Sequence, residues 1–424
     1  MCRWVKVFAC LAGLWAGAAL PATPSPAPGF VQIQGEHFVG PDGRVLHLRG
    51  INLGNWLVPE GYMFHFEHTT SPRQIEDVVA ELVGDVAAAE FWHEWREHYI
   101  AESDLALIRR MGFNSVRVPL NWRLFVSPDT PFRLDGPGWQ LLDRVVAWCR
   151  AQQLYVVIDL HAAPGGQTGA NIDDSRGLPL LFDDPAAQEL TVRLWQALAT
   201  RYRDEPWVLG YDLLNEPIAH YHDKARLNPL LGPFYRRLTQ AIRAIDERHI
   251  VFLGGAQWNT DFAPLGAPFA SNLVYTFHLY WDPPVADSLS RYLAWRDRYH
   301  VPLWLGETGE NSDEWIAKFR AVLDDHAIDW CFWPYKKIDA TTCVASVPAP
   351  TAWAEIVAYA ESTRSTPEKV GATLPRLATS RRALAELLEN IRIEHCRLNP
   401  GYLRALGLTV PPSSSAPSAP SAAR

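Results

Sequence analysis

The chain has little of several things that would point to other chemistries. Cysteine is scarce, six in 424 residues, and no two form a C-x-x-C pair, so the spacing of a structural zinc site is missing. No G-x-S-x-G and no Walker loop occurs, and Gly50-Ile51-Asn52-Leu53-Gly54-Asn55 lacks the G-x-G-x-x-G spacing. The nucleophile elbow, the P-loop and the dinucleotide turn therefore have no anchor. Basic residues are outnumbered, 39 against 47, for a net charge of −8. That argues against a binder of nucleic acids or anionic membranes, both of which want a basic face. No segment reaches the roughly 20 apolar residues of a membrane span.

What is present begins with a leader. Arg3 and Lys6 precede an apolar run from Val7 to Leu20 that ends in small residues (Ala16-Gly17-Ala18, then Ala22). Charge, short apolar stretch and small-residue cleavage site are the parts of a secretory signal peptide, here residues 1–22. Export permits a disulfide. Cys149, Cys331, Cys343 and Cys396 remain after cleavage, and Cys331–Cys343, nearest in sequence, form either a bridge or buried free thiols.

A Pro-rich linker is expected over 23–32 and a disordered Pro/Ser/Ala tail over 411–424. Between them, eight apolar strand-like runs alternate with helix-period segments: Leu46–Asn52, Asn114–Pro119, Leu154–Leu160, Val208–Leu214, Ile250–Gly254, Leu273–Tyr280, Pro302–Gly306 and Asp329–Pro334. Ser71-Pro72-Arg73-Gln74 reads as a capping box with proline in the first turn, followed by Ile75, Val78, Val79 and Leu82 at helical spacing and a stop at Gly84. Further helices open at Asp184-Pro185 and Ser312, and Phe234, Leu238, Ile242 and Ile245 mark another. Strands too apolar to have a wet face, each followed by a helix, predict an α/β fold: a parallel (β/α)8 TIM barrel over 33–362. A C-terminal helical extension over 363–410 is expected to dock on the barrel's outside, with its main helix from Arg381 to Glu394.

In such a barrel the active site is built at the C-terminal ends of the strands. Those ends carry Asn52 and Trp56, Arg117, His161, Asn215-Glu216-Pro217, Trp258, His278-Leu279-Tyr280, Glu307 and Trp333. Two glutamates on opposed strands suit glycoside cleavage, which needs one protonated acid and one ionised nucleophile about 5–5.5 Å apart in a retaining enzyme. Apolar surroundings would keep Glu216 neutral, while Arg117 and Tyr280 would favour an ionised Glu307. The chain holds 18 Trp against 17 Phe. Trp56, Trp122, Trp258, Trp281 and Trp333 are candidate sugar platforms, whereas Trp95, Trp148 and Trp195 fall at core positions of helices. His93 and His98 stand at i, i+5, which points them apart on a helix, so no metal and no cofactor is expected there or elsewhere. Lys336 and Lys337 are read as a solvated pair or as contacts to sugar hydroxyls.

The stretches Leu48-Arg49-Gly50-Ile51-Asn52, Ser115-Val116-Arg117-Val118-Pro119, Ile158-Asp159-Leu160-His161, Leu213-Leu214-Asn215-Glu216-Pro217, Phe277-His278-Leu279-Tyr280, Leu305-Gly306-Glu307 and Phe332-Trp333 resemble glycoside hydrolase family 5. The resemblance implies a retaining cellulase- or β-glucanase-type hydrolase, with Glu216 as acid/base and Glu307 as nucleophile. It further implies that Asn215 binds the sugar 2-hydroxyl, His278 and Tyr280 orient the carboxylates, Arg117 keeps Glu307 ionised, His161 lines the subsite and Trp333 is the platform. Asn55-Trp56-Leu57, the run from Leu160 to Gln167 and the helical insert from Phe91 to Asp104 are similar to the exo-β-1,3-glucanase branch. Ala162 and the loop Thr168–Gly177 depart from it. The expected partner is an oligo- or polysaccharide and the expected state a monomer without stable membrane insertion. Two further readings stand beside this one: a glycosidase of glycolipids such as glucosylceramide, with the aromatic segment 61–68 as an apolar lid, and a non-catalytic sugar-binding barrel.

Overall fold

The computed structural model describes residues 29–127, 129–130 and 132–411. The expected signal peptide, most of the expected linker and the chain beyond residue 411 lie outside the described residues. Two short strands, β1 (Gln32–Gln34) and β2 (His37–Val39), form an antiparallel hairpin. Eight strands then close a barrel: β3 (Arg49–Asn52), β4 (Ser115–Asn121), β5 (Tyr155–Ala162), β6 (Val208–Asp212), β7 (Ile250–Gly254), β8 (Leu273–His278), β9 (Leu303–Glu307) and β10 (Asp329–Phe332). Neighbours pair in chain order, β10 returns to β3, and every barrel pairing is parallel. Each strand is buried along nearly its whole length, which is why the runs read as continuous apolar stretches without alternation.

The two ends of the barrel differ. At the N-terminal end, Val31 just before the hairpin and Phe38 within it join Leu48, Val157, Leu209, Ile250, Phe252, Val274 and Trp304 in a separate apolar cluster that plugs the opening. The residues up to 32 are therefore not all linker: Val31 is core and Gln32 is strand. At the other end the loops are long. Between β3 and β4 the chain inserts three helices, Pro72–Val83, Asp85–His98 and Glu102–Met111. The first has the capping box read from sequence, with Gln74 reaching back to the Ser71 amide at 3.1 Å.

The C-terminal extension differs from expectation in register and in place. Its main helix is Leu377–Asn390, and it rests on the insert helices Pro72–Val83 and Asp85–His98 as well as on Trp353–Ala360. A small sheet of β11 (Lys336–Ile338), β12 (Ala345–Val347) and β13 (Arg397–Leu398) ties it to the barrel mouth. Lys336 is fully buried, with its Nζ 2.6 Å from Asp104 and donating to the Tyr99 and Ile391 carbonyls. Lys337 pairs with Glu310 at 2.7 Å, so neither lysine is a solvated end. Cys149, Cys331, Cys343 and Cys396 are all free thiols, which settles the open Cys331–Cys343 question against a bridge. His98 pairs with Glu94 one turn away at 3.1 Å, an ordinary helix-face contact. Among the described residues no helix is long and apolar enough to cross a membrane.

Candidate active site

The site is organised around a buried arginine. Arg117 lies in mid-strand on β4, opposite Asn52 of β3, and is fully buried. Its Nε donates to Asp212 at 2.9 Å, and Nη2 lies 3.1 Å from Asp159. The remaining donors reach Asn52 at 3.1 Å, Asn215 at 2.8 Å and Glu307 Oε1 at 2.5 Å. Burial works against a charged guanidinium, but the carboxylates of Asp159, Asp212 and Glu307 outweigh it and raise its pKa. A planar fork with five donors can serve this many acceptors at once, which an ammonium cannot.

Glu307 is aimed by an irregularity. Along β8 and β9 the pairing runs Thr276 to Trp304 and Phe277 to Leu305, then jumps to His278 and Glu307, leaving Gly306 as the extra residue. Such a bulge re-aims the following side chain. Only glycine fits, because a Cβ on Gly306 would stand 2.5 Å from Thr276 Oγ1 and 3.0 Å from His278 Nε2. Glu307 Oε2 accepts from the Tyr280 hydroxyl at 2.8 Å. Both of its oxygens thus carry donors.

Glu216 follows β6 in a left-handed conformation (φ 47°), a strain of the kind that concentrates at working sites. Its Oε1 is 2.8 Å from His278 Nδ1. Burial pushes its pKa up from the usual carboxylate value to about 7, against the opposing pull of His161 and Arg117. The same burial takes His278 down to about 3, so the imidazole is neutral. Acting as the acid, a carboxyl with a raised pKa would set the basic limb of the pH profile. We therefore expect kcat/KM to fall as pH rises through about 7 and Glu216→Gln to abolish that limb, both read from initial rates across pH.

His161 ends β5 beside Asp159, two residues back on the same face, with Nδ1 2.8 Å from Asp159 Oδ2. Its Nε2 meets Asn215 Nδ2 at 3.3 Å and Glu60 Oε1 at 3.7 Å. The amide asks Nε2 to accept, whereas the carboxylates ask it to carry a proton. Three carboxylates (Asp159, Glu60 and Glu307) stand within 4.0 Å of the ring and the amide contact is long, so the carboxylates prevail. Burial opposes the charge, but Asp159 first and Glu60 next raise the imidazole to about 10. Glu60 itself is buried in the loop after β3, its pKa raised by that burial.

Trp333 lies parallel to His161 with ring centroids 5.7 Å apart, and its indole N–H donates to the Tyr62 hydroxyl at 2.6 Å. Gly54 faces its edge, where a Cβ would come within 2.5 Å of the ring. Gly54→Ala should displace the indole and lower kcat/KM by about 10- to 10²-fold with the fold retained, checked by kinetics beside circular dichroism.

Of the residues expected from sequence, Arg117, His161, Asn215, Glu216, His278, Tyr280, Glu307 and Trp333 converge here. Trp56 does not: it is 1% exposed in the core, with its N–H bonded to the Arg96 carbonyl at 2.8 Å, so it offers no platform. Trp258 lies on the Glu216 side, half-buried, edge-on to His220 at 4.7 Å and to Tyr221 at 6.0 Å. Trp281 is the ring left open, at 78% exposure. Segment 61–68 is no lid, since Met63, Phe64 and Phe66 are buried and Tyr62 alone among its hydrophobic residues is exposed. Glu60, Asp159, Asp212 and Tyr62 are contributors that the sequence reading did not single out. The i, i+2 spacing of Asp159 and His161 on one strand was a usable signal, whereas nothing local marks Glu60.

One donor atom from each of Glu216, His278 and Glu307 lies within 4.8 Å of the others, the separation of a cation site or of a retaining carboxylate pair. The guanidinium 2.5 Å from Glu307 and the His278–Glu216 hydrogen bond already occupy these atoms, and a fixed positive charge so close disfavours a cation.

With that geometry in hand, comparison with known proteins is decisive. Residues 79–338 match the family model described as cellulase (glycosyl hydrolase family 5). The chain belongs to glycosyl hydrolase family 5. It is 29% identical over 346 residues to a β-xylosidase of Phanerodontia chrysosporium, covering 73% of this chain and 71% of that protein. It is 32% identical over 243 residues to a protein of Aspergillus clavatus named probable glucan 1,3-beta-glucosidase A, covering 55% of each. Among solved structures, an endogalactoceramidase superposes with a TM-score of 0.59 at 20% identity, over 89% of this chain and 84% of that one, a likeness of fold. The match thus spans about half the length of the glucosidase relative. This family 5 member is a glycoside hydrolase on a (β/α)8 barrel.

Proposed function

We propose that the protein is an exported, retaining β-glycosidase that cleaves β-glucosidic bonds of a β-glucan by double displacement. The observation that carries the reading is the pair Glu216 and Glu307, with oxygens within 4.8 Å of each other across the mouth and opposite surroundings. That spacing leaves no room for a water between acid and nucleophile, in keeping with a covalent intermediate. In the first step Glu216 passes its proton to the leaving oxygen while Glu307 bonds to the anomeric carbon. In the second, Glu216 takes a proton from water as the water displaces Glu307. Asn215 and His161 would meet the bound sugar's hydroxyls, with Glu60 beside His161 at 3.7 Å. Export rests on the leader read in residues 1–22.

The relatives' names diverge in sugar and linkage, so the test is a substrate panel. The purified protein is incubated with laminarin, pustulan, carboxymethyl-cellulose, mannan and an aryl β-xyloside, with Glu307→Ala as the blank, and products are separated. Glucose or gluco-oligosaccharides that are absent from the blank support the reading. Xylose alone would replace glucan by xylan-type substrates, and silence on all five would overturn it.

A second reading, a glycolipid substrate, has one observation in its favour. Trp281 (78% exposed), Tyr221 (58%), Leu178 (55%) and Val285 (47%) are exposed apolar residues on loops that follow barrel strands at the mouth. Release of ceramide from glucosylceramide, with no hydrolysis of the polysaccharides, would favour it.

A further inference from the structure

The turn after β7 holds three consecutive residues in the left-handed region, Gln257 (φ 51°), Trp258 (58°) and Asn259 (58°). Left-handed backbone is disfavoured for side-chain-bearing residues, and a run of three persists only where the surroundings over-determine it. The Asn259 amide N–H is held by the Gly255 carbonyl at 3.1 Å, and Ala256 pairs with Asp261 across the turn. The Asn259 side chain lies so close to Gly254 that a Cβ there would stand 2.3 Å from its Oδ1. The outcome is a fully buried amide whose Nδ2 sits 3.0 Å from His278 Nε2 and whose Oδ1 has no partner. A sealed polar group with one half unused calls for an explanation, and the used half supplies it.

His278 faces groups from every side: Glu216 after β6 at 2.8 Å, Glu307 of β9 at 3.6 Å and Asn259 after β7. Arg117, Asp159 and His161 lie further out. A neutral imidazole has a single N–H, and the neighbours decide where it is. The two carboxylates meet Nδ1 and need a donor there, while the Asn259 amide meets Nε2 and needs an acceptor. Turning the amide over would strand two N–H protons instead of one oxygen and would leave Nδ1 as a bare acceptor between the carboxylates.

We propose that Asn259 is a positioning residue that locks His278 in the Nδ1–H tautomer and so fixes which oxygen of Glu216 carries the catalytic proton. With Nδ1–H donated to Oε1, the acid proton resides on Oε2. It passes from there to the leaving oxygen as the glycosidic bond breaks and Glu307 bonds to carbon. In the other tautomer Nδ1 would accept the Glu216 hydroxyl and hold the proton back from the leaving group. The inference rests on Glu216 being the acid/base and adds the device that orients its proton.

The test combines nitrogen NMR of the imidazole with leaving-group kinetics on wild type, Asn259→Asp and Asn259→Gly. Glycine suits the left-handed backbone, so that variant deletes the amide without straining the turn. Wild type should show Nδ1–H on His278, and Asn259→Asp should move the proton to Nε2 or charge the ring. Both variants should lose at least about 10-fold in kcat/KM on an alkyl β-glucoside, part of the ~10²–10⁴ that a placed acid contributes. On 2,4-dinitrophenyl β-glucoside, whose leaving group needs no proton, the loss should be at least tenfold smaller. An Nε2–H tautomer in wild type, or equal losses on both leaving groups, overturns the proposal. If neither glucoside is hydrolysed the β-glucoside reading fails, and the NMR still decides the tautomer.

Discussion

Glu307→Gln should lower kcat by about 10⁴- to 10⁶-fold, the scale on which enzymes lose a covalent nucleophile, and leave a folded protein. The amide keeps the shape and still accepts from Tyr280, which holds Oε2 at 2.8 Å in the native site. It cannot, however, form the ester with the anomeric carbon. Shortening the side chain further makes the role visible. Glu307→Gly opens space beside Arg117, and azide can enter it and attack an activated aryl glycoside from the face the carboxylate used. The expected product is a glycosyl azide of α configuration, identified by NMR. A glycine variant that hydrolyses the aryl glycoside at the native rate without azide would show that Glu307 is not the attacking group.

Arg117→Met should destabilise the protein by about 3–5 kcal/mol, the cost of leaving buried charge uncompensated, which would be among the largest effects of a single substitution. In the native barrel one guanidinium touches Asp159, Asp212 and Glu307 at 3.1 Å or less, all of them nearly or fully buried. Methionine fills the volume but returns none of the charge. Three carboxylates would then face each other at low dielectric, and the amides of Asn52 and Asn215 would lose their donor. The deficit should shrink as pH is lowered, because protonating the orphaned carboxylates removes the repulsion. Arg117→Lys should recover part of the stability and little activity, since one ammonium cannot reach all five acceptors. Urea unfolding of the three proteins at two pH values checks this, and a methionine variant with the native midpoint would contradict it.

The barrel was legible because its eight strands are buried on both faces and its helices carry ordinary start and stop signals, as at Ser71 and Gly84. The small elements were not. Three-residue strands such as β1, β2, β11 and β12 have no period to read. The extension helix begins four residues before the expected start, at Leu377, where no Ser, Thr or Asp cap announces it. At the site, side chains at strand ends were found because the fold class dictates where a barrel works. Trp56 shows the limit of that rule. It follows β3 like a cleft residue, yet the insert helix bearing Arg96 folds over it, a contact between residues 40 positions apart. Glu60 and Asn259 were missed for the complementary reason, since their roles come from loop conformations that bring them to His161 and His278.

The measurement that bears most directly on the account is trapping of the intermediate. The 2-deoxy-2-fluoro glycoside of whichever sugar the enzyme releases, carrying a good leaving group, is incubated with the protein, and the digested peptides are weighed. The account predicts a single sugar adduct on Glu307 and, in parallel, a first-formed product that keeps the β configuration. An unmodified Glu307 together with an α-configured product, or an adduct on another residue, would contradict it.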